Sequence, residues 1–349
     1  MKKIIALLLV LAMALSLVAC GSKSEPAATE APKADAPAAE APAAEKPVIA
    51  FVPKVIGQAW WDYVGDGVKA WAAENADKAE VIYKGPAEVD AAAQVQIMTD
   101  LVNQGVDALL FSPNDPNACE EICKQAKEAG IIVISTEAAT MTNVHYDVEA
   151  FNDAGLGAFL MDVLAEQMGE EGEYITMVGS MTMESHNNWA GAAVARAQEA
   201  YPNMTLVADA RVSSESDAEV AYNKVKELKQ KYPNLKGILG TSSFDAPGAA
   251  RAIDELGLTG QVFAISVAMP SETRDYLKAG VLQGVGLWDP ALTAVVMLNM
   301  AVDMLNGVEI ATGYNAGVAG YEAVEVTGTL VVGQGSLAIT AENVDNFTF

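Results

Sequence analysis

The chain has 349 residues, 51% of them hydrophobic, and a formal net charge of −25 from 46 acidic and 21 basic residues. That acidity, with no basic stripe along the sequence, excludes nucleic acid and anionic lipid headgroups as electrostatic partners and reads as solubility. Three cysteines and two histidines leave a zinc enzyme little to build on, so neither a metal nor a cofactor is expected.

The chain opens like an export signal. Met1-Lys2-Lys3 is a basic start, and the apolar run from Ile4 to Val18 is too short with these flanks for a conventional membrane span. Leu17-Val18-Ala19-Cys20 followed by Gly21 resembles a bacterial lipobox. The resemblance implies a signal peptide over 1–19, cleavage before Cys20, acylation of Cys20 as in a palmitate-bearing lipoprotein, and a mature chain anchored outside the cytoplasmic membrane. Residues 20–47 follow as a tether of Ala, Pro, Glu and Lys that cannot bury a core. Stiffened toward polyproline II at ~3.1 Å per residue, it would reach roughly 80 Å. A body held that close needs no outer membrane to retain it, which favours a single-membrane host.

From Val48 short apolar runs alternate with amphipathic stretches of helical length. Strands are predicted at about 48–52, 79–83, 107–111, 131–135, 173–178, 204–209, 236–240, 262–266 and 282–287. Helices are predicted between them, at about 59–75, 91–104, 117–129, 151–168, 187–200, 217–231, 246–256, 271–279 and 291–306. Strand and helix in such regular alternation specify α/β architecture, doubly wound, with parallel sheets covered on both faces. The stretch 106–112, a helix and 130–135 is echoed by 235–241, a helix and 261–266, a domain-sized period that implies two similar lobes. Their join is expected near Asp147 to Ala150, with returns after Trp288-Asp289 and near Gly307 to Gly320. Residues 48–148 plus about 289–320 would then form an N-terminal lobe, and 149–288 plus about 321–349 a C-terminal one. Cys119 and Cys123, one helical turn apart, are expected as packed thiols.

Open parallel sheets bind ligands beyond the carboxyl ends of their strands, so facing lobes would share one cleft. The tips on the first lobe carry Lys54, Gln58, Trp60, Trp61, Ser112 and Glu137; those on the second carry His186, Asn187, Thr241, Ser242, Ser243, Ala268, Trp288 and Asp289. Trp60 and Trp61 open a helix, where adjacent indoles diverge, so one should face the cleft. A flat indole suits the C–H face of a sugar or similar ring, and Lys54, Gln58, Glu137, Asn187 and Asp289 suit its hydroxyls. Trp288 equally suits a cap on the core, and Lys54 an ion pair with Glu137 or Asp289. The run Met183 to Trp189 reads either as ordinary helix capping by Ser185 or as a polyol grip.

Gly155-Leu156-Gly157 lies inside a predicted helix and lacks the third glycine of a dinucleotide loop. Neither a P-loop, a Gly-x-Ser-x-Gly elbow nor a His-Glu-x-x-His occurs, and Glu184, Ser185 and His186 are sequence neighbours that point apart on a helix. No catalytic residue is assigned, and an enzyme is not expected.

Ile49-Ala50-Phe51-Val52-Pro53-Lys54 through Gly65-Asp66-Gly67, Gly85-Pro86, Gln94-Val95-Gln96, Val102-Asn103-Gln104-Gly105 and Gly286-Leu287-Trp288-Asp289 resemble type I periplasmic solute-binding proteins of sugar ABC transporters. The likeness spans residues 48–349 and is greatest to the branch of autoinducer-2 and rhamnose binders. It implies two Rossmann-like doubly wound lobes joined by a three-strand hinge, ligand trapped by closure, and delivery of a small sugar or polyol to an ABC permease and its ATPase. It also implies an extracytoplasmic monomer. Lys54 matches the lysine that contacts autoinducer-2, and Glu137 stands where that family carries an aspartate. Trp60 and Trp61 fall on the paired phenylalanines of ribose binders, and Gln58 on their asparagine. Ser185-His186, Thr241 and Ala268 depart from the family's Asp-Gln pair, proline and aspartate. A sensor passing autoinducer-2-like occupancy to a membrane receptor is the alternative on the same fold.

Overall fold

The computed structural model describes residues 46–347 and 349, apart from 208–210. The expected signal peptide, Cys20 and most of the expected tether lie outside the described residues. The first lobe is laid down as β1 (Val48–Val52), α1 (Ala59–Glu74), β2 (Glu80–Tyr83), α2 (Ala91–Gln104), β3 (Ala108–Phe111), α3 (Pro116–Glu128), β4 (Ile132–Ser135) and β5 (Tyr146–Glu149). The second follows as α4 (Asp153–Met168), β6 (Glu171–Val178), α5 (Glu184–Ala200), β7 (Asn203–Leu206), β8 (Val212–Ser213) and α6 (Ala218–Lys231). It continues through β9 (Leu235–Gly240), α7 (Asp245–Glu255), β10 (Phe263–Ser266), α8 (Pro270–Lys278) and β11 (Gly284–Trp288). The chain ends with α9 (Pro290–Leu305), β12 (Glu325–Thr327), β13 (Leu330–Val332) and β14 (Ser336–Ile339).

The helices begin where the sequence supplies an acceptor. Asp90, Asp115, Asp217 and Asp289 each accept backbone N–H groups at the N-termini of α2, α3, α6 and α9. Pro116 and Pro290 stand in the first turns of α3 and α9, where a missing N–H costs nothing. The central strands are apolar runs buried on both faces: every residue of β3 and β11 is buried. Cys119 and Cys123 are free, fully buried thiols under the first sheet; burial pushes Cys119 up to about 12.

The first sheet runs β2-β1-β3-β4-β5-β13-β12 and the second β7-β6-β9-β10-β11-β14, with β8 beside β6. The order 2-1-3-4-5 therefore recurs in both lobes, and the repeat of β3-α3-β4 in β9-α7-β10 marks equivalent places in two doubly wound sheets. Only the outermost pairs, β12 with β13 and β11 with β14, are antiparallel.

Three segments cross between the sheets: 150–152 between β5 and α4, Asp289 between β11 and α9, and 333–335 between β13 and β14. Two of them run side by side, since Gly333 N–H donates to Glu149 O and Gly335 N–H to Ala150 O, each at 2.8 Å. The third crossing corrects the expected return near Gly320. Leu330, Val331 and Val332 pair in parallel with Asp147, Val148 and Glu149, so the first lobe keeps the chain through Val332. That placement buries Val331 completely against the sheet's edge.

Gly155 and Gly157 both lie within α4, and they differ in surroundings. A β-carbon on Gly157 would sit 2.5 Å from Ala192 Cβ and 2.5 Å from Trp189 O, where α4 crosses α5, whereas one on Gly155 meets nothing within 4 Å. Gly157→Ala should therefore lower stability by ~1–3 kcal/mol and Gly155→Ala raise it by up to ~1 kcal/mol in urea denaturation. Equal effects of the two would refute the close crossing.

Beside the crossings, Asp147 and Glu149 project from the same face of β5 and are both buried. Burial raises both carboxyls, Asp147 to about 6 and Glu149 well above the usual range, with Ser135 Oγ donating to Asp147 Oδ1 at 2.6 Å. The unfolded chain releases these protons near pH 4, the folded chain near 6 and above, so stability should fall as pH rises through that window. His186, held neutral, contributes with the opposite sign, and its contribution is complete by about pH 6.5. Thermal or urea unfolding should show stability falling as pH rises above about 6.5, less steeply in Glu149→Gln. A wild-type profile that rises over that range would contradict the assignment.

Candidate ligand-binding cleft

Because both sheets are parallel, the carboxyl ends of β1, β4, β6, β9, β10 and β11 open toward one gap. The side chains carried there enclose a cavity of about 40 Å³ lined by Lys54, Val55, Trp60, Trp61, Val89, Glu137, Met183, His186, Trp189, Ser216, Thr241, Ser242, Ser243, Phe244, Val267 and Trp288. That volume holds only a few waters, so the two lobes are closed on each other. Hydrogen bonds span the gap: Gln58 Nε2 donates to Ser243 Oγ at 3.0 Å, Lys54 Nζ to Ser185 Oγ at 3.4 Å, and Thr140 N to Glu184 Oε1 at 2.9 Å. Thr140 Oγ1 also donates to Glu184 Oε2, and Thr182 Oγ1 to Asn114 O at 3.4 Å.

Lys54 is 4% exposed and Glu137 6%, and their charges meet at 2.6 Å. Ser185 Oγ donates to the same Glu137 oxygen at 3.1 Å, so a hydroxyl from the second lobe completes the pair. Glu137 is held at φ +59°, in the left-handed region that a β-carbon disfavours. The backbone around Lys54 is stitched by buried amides. Gln94 Nε2 donates to Pro53 O and Ser112 O at 2.9 and 2.8 Å, its Oε1 accepts from Asn114 N at 2.8 Å, and Asn114 Nδ2 donates to Lys54 O at 2.8 Å.

His186, in the first turn of α5, is pushed well below its ordinary pKa by burial and by the Lys54 charge. It is therefore neutral. Gly179 N–H donates to its Nδ1 at 3.2 Å, which leaves Nε2 as the protonated nitrogen of a ring lining the cavity. Only glycine permits that approach, since a β-carbon at Gly179 would stand 2.9 Å from Nδ1.

The aromatic wall is continuous. Trp288 meets Trp60, Phe151 and Trp189 edge to face at centroid distances of 4.9, 5.2 and 5.5 Å, and His186 lies 5.7 Å from Trp189. Trp60 and Trp61 both reach the cavity, contrary to the expectation that one would, because at the open first turn of α1 two adjacent side chains can flank the same gap. Trp288 lines the cavity and packs the core together.

Lys54, Trp60, Trp61, Glu137, His186, Thr241, Ser242, Ser243 and Trp288 thus line one cavity. Gln58 reaches the cleft as a cross-lobe donor, with a buried Oε1 left without a protein partner. Four others stand apart from the lining. Asn187 turns back on its own helix start, donating to Ser180 O and Met183 O at 3.0 and 2.7 Å while accepting from Arg211 at 3.3 Å. Asp289 caps α9 through Ala291 N and Leu292 N at 3.0 and 3.1 Å and accepts from Tyr63 OH at 3.1 Å. Ser112 and Ala268 are buried behind the cavity wall. The lining residues not singled out individually are Val55, Val89, Met183, Trp189, Ser216, Phe244 and Val267; Met183 and Trp189 bound the run read as a helix cap or polyol grip, and Trp189 stands three residues after His186 on one helix face.

Among the described residues no cluster of His, Cys, Asp and Glu is arranged to hold a metal, and no helix is long and apolar enough to cross a membrane. Comparison with known proteins agrees with this geometry. The D-ribose/D-allose-binding protein of Pseudomonas aeruginosa is 25% identical over 271 residues, 74% of this chain and 82% of that protein. The D-allose-binding periplasmic protein of Escherichia coli is 24% identical over 265 residues, 73% of this chain and 83% of that one. LsrB from Clostridium saccharobutylicum in complex with AI-2 shares the fold at a TM-score of 0.80 and 23% identity, covering 86% of this chain and all of that one. Residues 49–309 match the periplasmic binding protein domain, and with two doubly wound lobes closing on one cleft the chain belongs to that family.

Proposed function

We propose that this protein is the extracytoplasmic, lipid-anchored binding component of an ABC importer, closing over a small sugar or polyol and delivering it to the permease. The observation that carries the reading is the interlobe cavity, where indoles stand beside Lys54, Glu137, His186 and the β9 hydroxyls in the combination that grips a polyhydroxylated ring. The ribose- and allose-binding relatives support the ligand class. Closure would shift an equilibrium between open and closed lobes, with Gln58–Ser243 and Lys54–Ser185 made in the closed state. An autoinducer-2-like ligand, taken up or sensed through a membrane receptor, is the second reading, favoured by Lys54 in the cavity and by the AI-2 complex among similar folds.

Calorimetric titration of the full-length protein against D-ribose, D-allose, common hexoses, pentitols and autoinducer-2 tests both readings. Saturable binding by a sugar or polyol is expected; silence across the panel at millimolar concentration would sink the proposal. Lys54→Met should weaken binding at least tenfold and destabilise the fold by ~3–5 kcal/mol by leaving Glu137 buried and unpaired. Lys54→Met/Glu137→Leu should regain most of that stability without regaining affinity, which separates the two roles. Cys20→Ala should release a binding-competent protein into the medium, and retention on the cell would refute lipid anchoring at that position.

A further inference from the structure

We infer that Tyr63 and Phe349 form a clasp between the lobes, a noncovalent fourth link beside the three chain crossings, which favours the closed state without touching what the cleft holds. Because the clasp concerns the lobes and not their cargo, it stands whatever ligand the cleft takes.

The two rings are anchored on different lobes. Tyr63 lies in the second turn of α1, and its hydroxyl donates at 3.1 Å to Oδ2 of Asp289, the cap of α9 in the first lobe. Phe349 is held by the second lobe, since Ser271 N–H at the start of α8 donates to Phe349 O at 3.0 Å. The chain leading to it is pinned to the same helix. Arg274 Nη2 donates to Phe347 O at 2.5 Å, Lys278 Nζ meets Asp345 Oδ1 at 2.7 Å, and Val344 is completely buried. Between these anchors the rings of Tyr63 and Phe349 stack at a centroid distance of 4.9 Å and an interplanar angle of 16°, with Phe347 edge-on to Phe349 at 5.9 Å.

Each ring is fixed to its own lobe within its own residue, so neither can follow the other when the lobes rotate apart. Opening must therefore part them. The cross-lobe hydrogen bonds of the cleft can be exchanged for bonds to water as the gap floods, which makes their net contribution to closure small. The stack has no such substitute, because parting two half-buried rings exposes apolar surface while the hydrogen bonds of both residues stay inside their own lobes. Neither ring lines the cavity. Tyr63 and Phe349 are thus positioning residues for closure, able to set how long the lobes stay shut but not which ligand is chosen.

Hydrogen exchange of the full-length, ligand-free protein tests this. The amide of Thr140 donates across the gap to Glu184, uses neither α1 nor α8, and loses that acceptor when the lobes part, so its exchange reports opening. Phe349→Ala and Tyr63→Leu should each speed Thr140 exchange about two- to tenfold, with the amides of β3 and β9 unchanged. The double variant should be no faster than the faster single one, because both substitutions remove one and the same contact. Unchanged Thr140 exchange in Phe349→Ala, additive effects of the two substitutions, or a rise shared equally by β3 and β9 would each overturn the clasp.

Discussion

Lys54 and Glu137 would each be intolerable alone at the depth they occupy, and the way they are held organises much of the cleft. Both come from the first lobe, at the tips of β1 and β4, while the hydroxyl that completes their hydrogen bonding, Ser185, begins α5 of the second. The pair therefore exists before closure and is finished by it. Burial, reinforced by the same positive charge, lowers the pKa of His186 across the gap, so the imidazole faces the cavity as a neutral donor rather than as a second cation. One ion pair thus adds to what holds its neighbour neutral and keeps the charged lining of the site balanced.

Much of the fold was readable because parallel strands buried on both faces are continuous apolar runs, and because aspartates and prolines mark the starts of α2, α3, α6 and α9. The predicted strands of both lobes recur within a few residues of their observed positions. What periodicity could not reveal are β5, β8 and β12 to β14, each two to four residues long and defined by partners far away in sequence. Missing β12 and β13 displaced the last crossing, since nothing local in Leu330-Val331-Val332 says which sheet it joins.

The cleft was legible to the extent that topology locates it. Strand tips of parallel sheets must line the gap, and most of the residues singled out there do. Side-chain direction was not legible in the same way. Asn187 and Asp289 stand at helix starts, where backbone N–H and C=O groups compete for exactly the polar atoms a ligand would use, and the backbone prevails in both. Trp189, the last residue of the run read as helix cap or polyol grip, is core on one side and cavity wall on the other.

The amide of Gln94, tied to Pro53 O, Ser112 O and Asn114 N, and that of Asn114, tied to Lys54 O, weld the tips of β1 and β3 into one unit beneath the cleft floor. The joint is purely internal to the first lobe and breaks no bond when the lobes part. A force applied to the outer face of that lobe would consequently reach Lys54 without being absorbed by local yielding. Parting such lobes then becomes a problem of leverage, in which Ser185 of the second lobe is drawn off a Lys54–Glu137 pair that stays seated on the first.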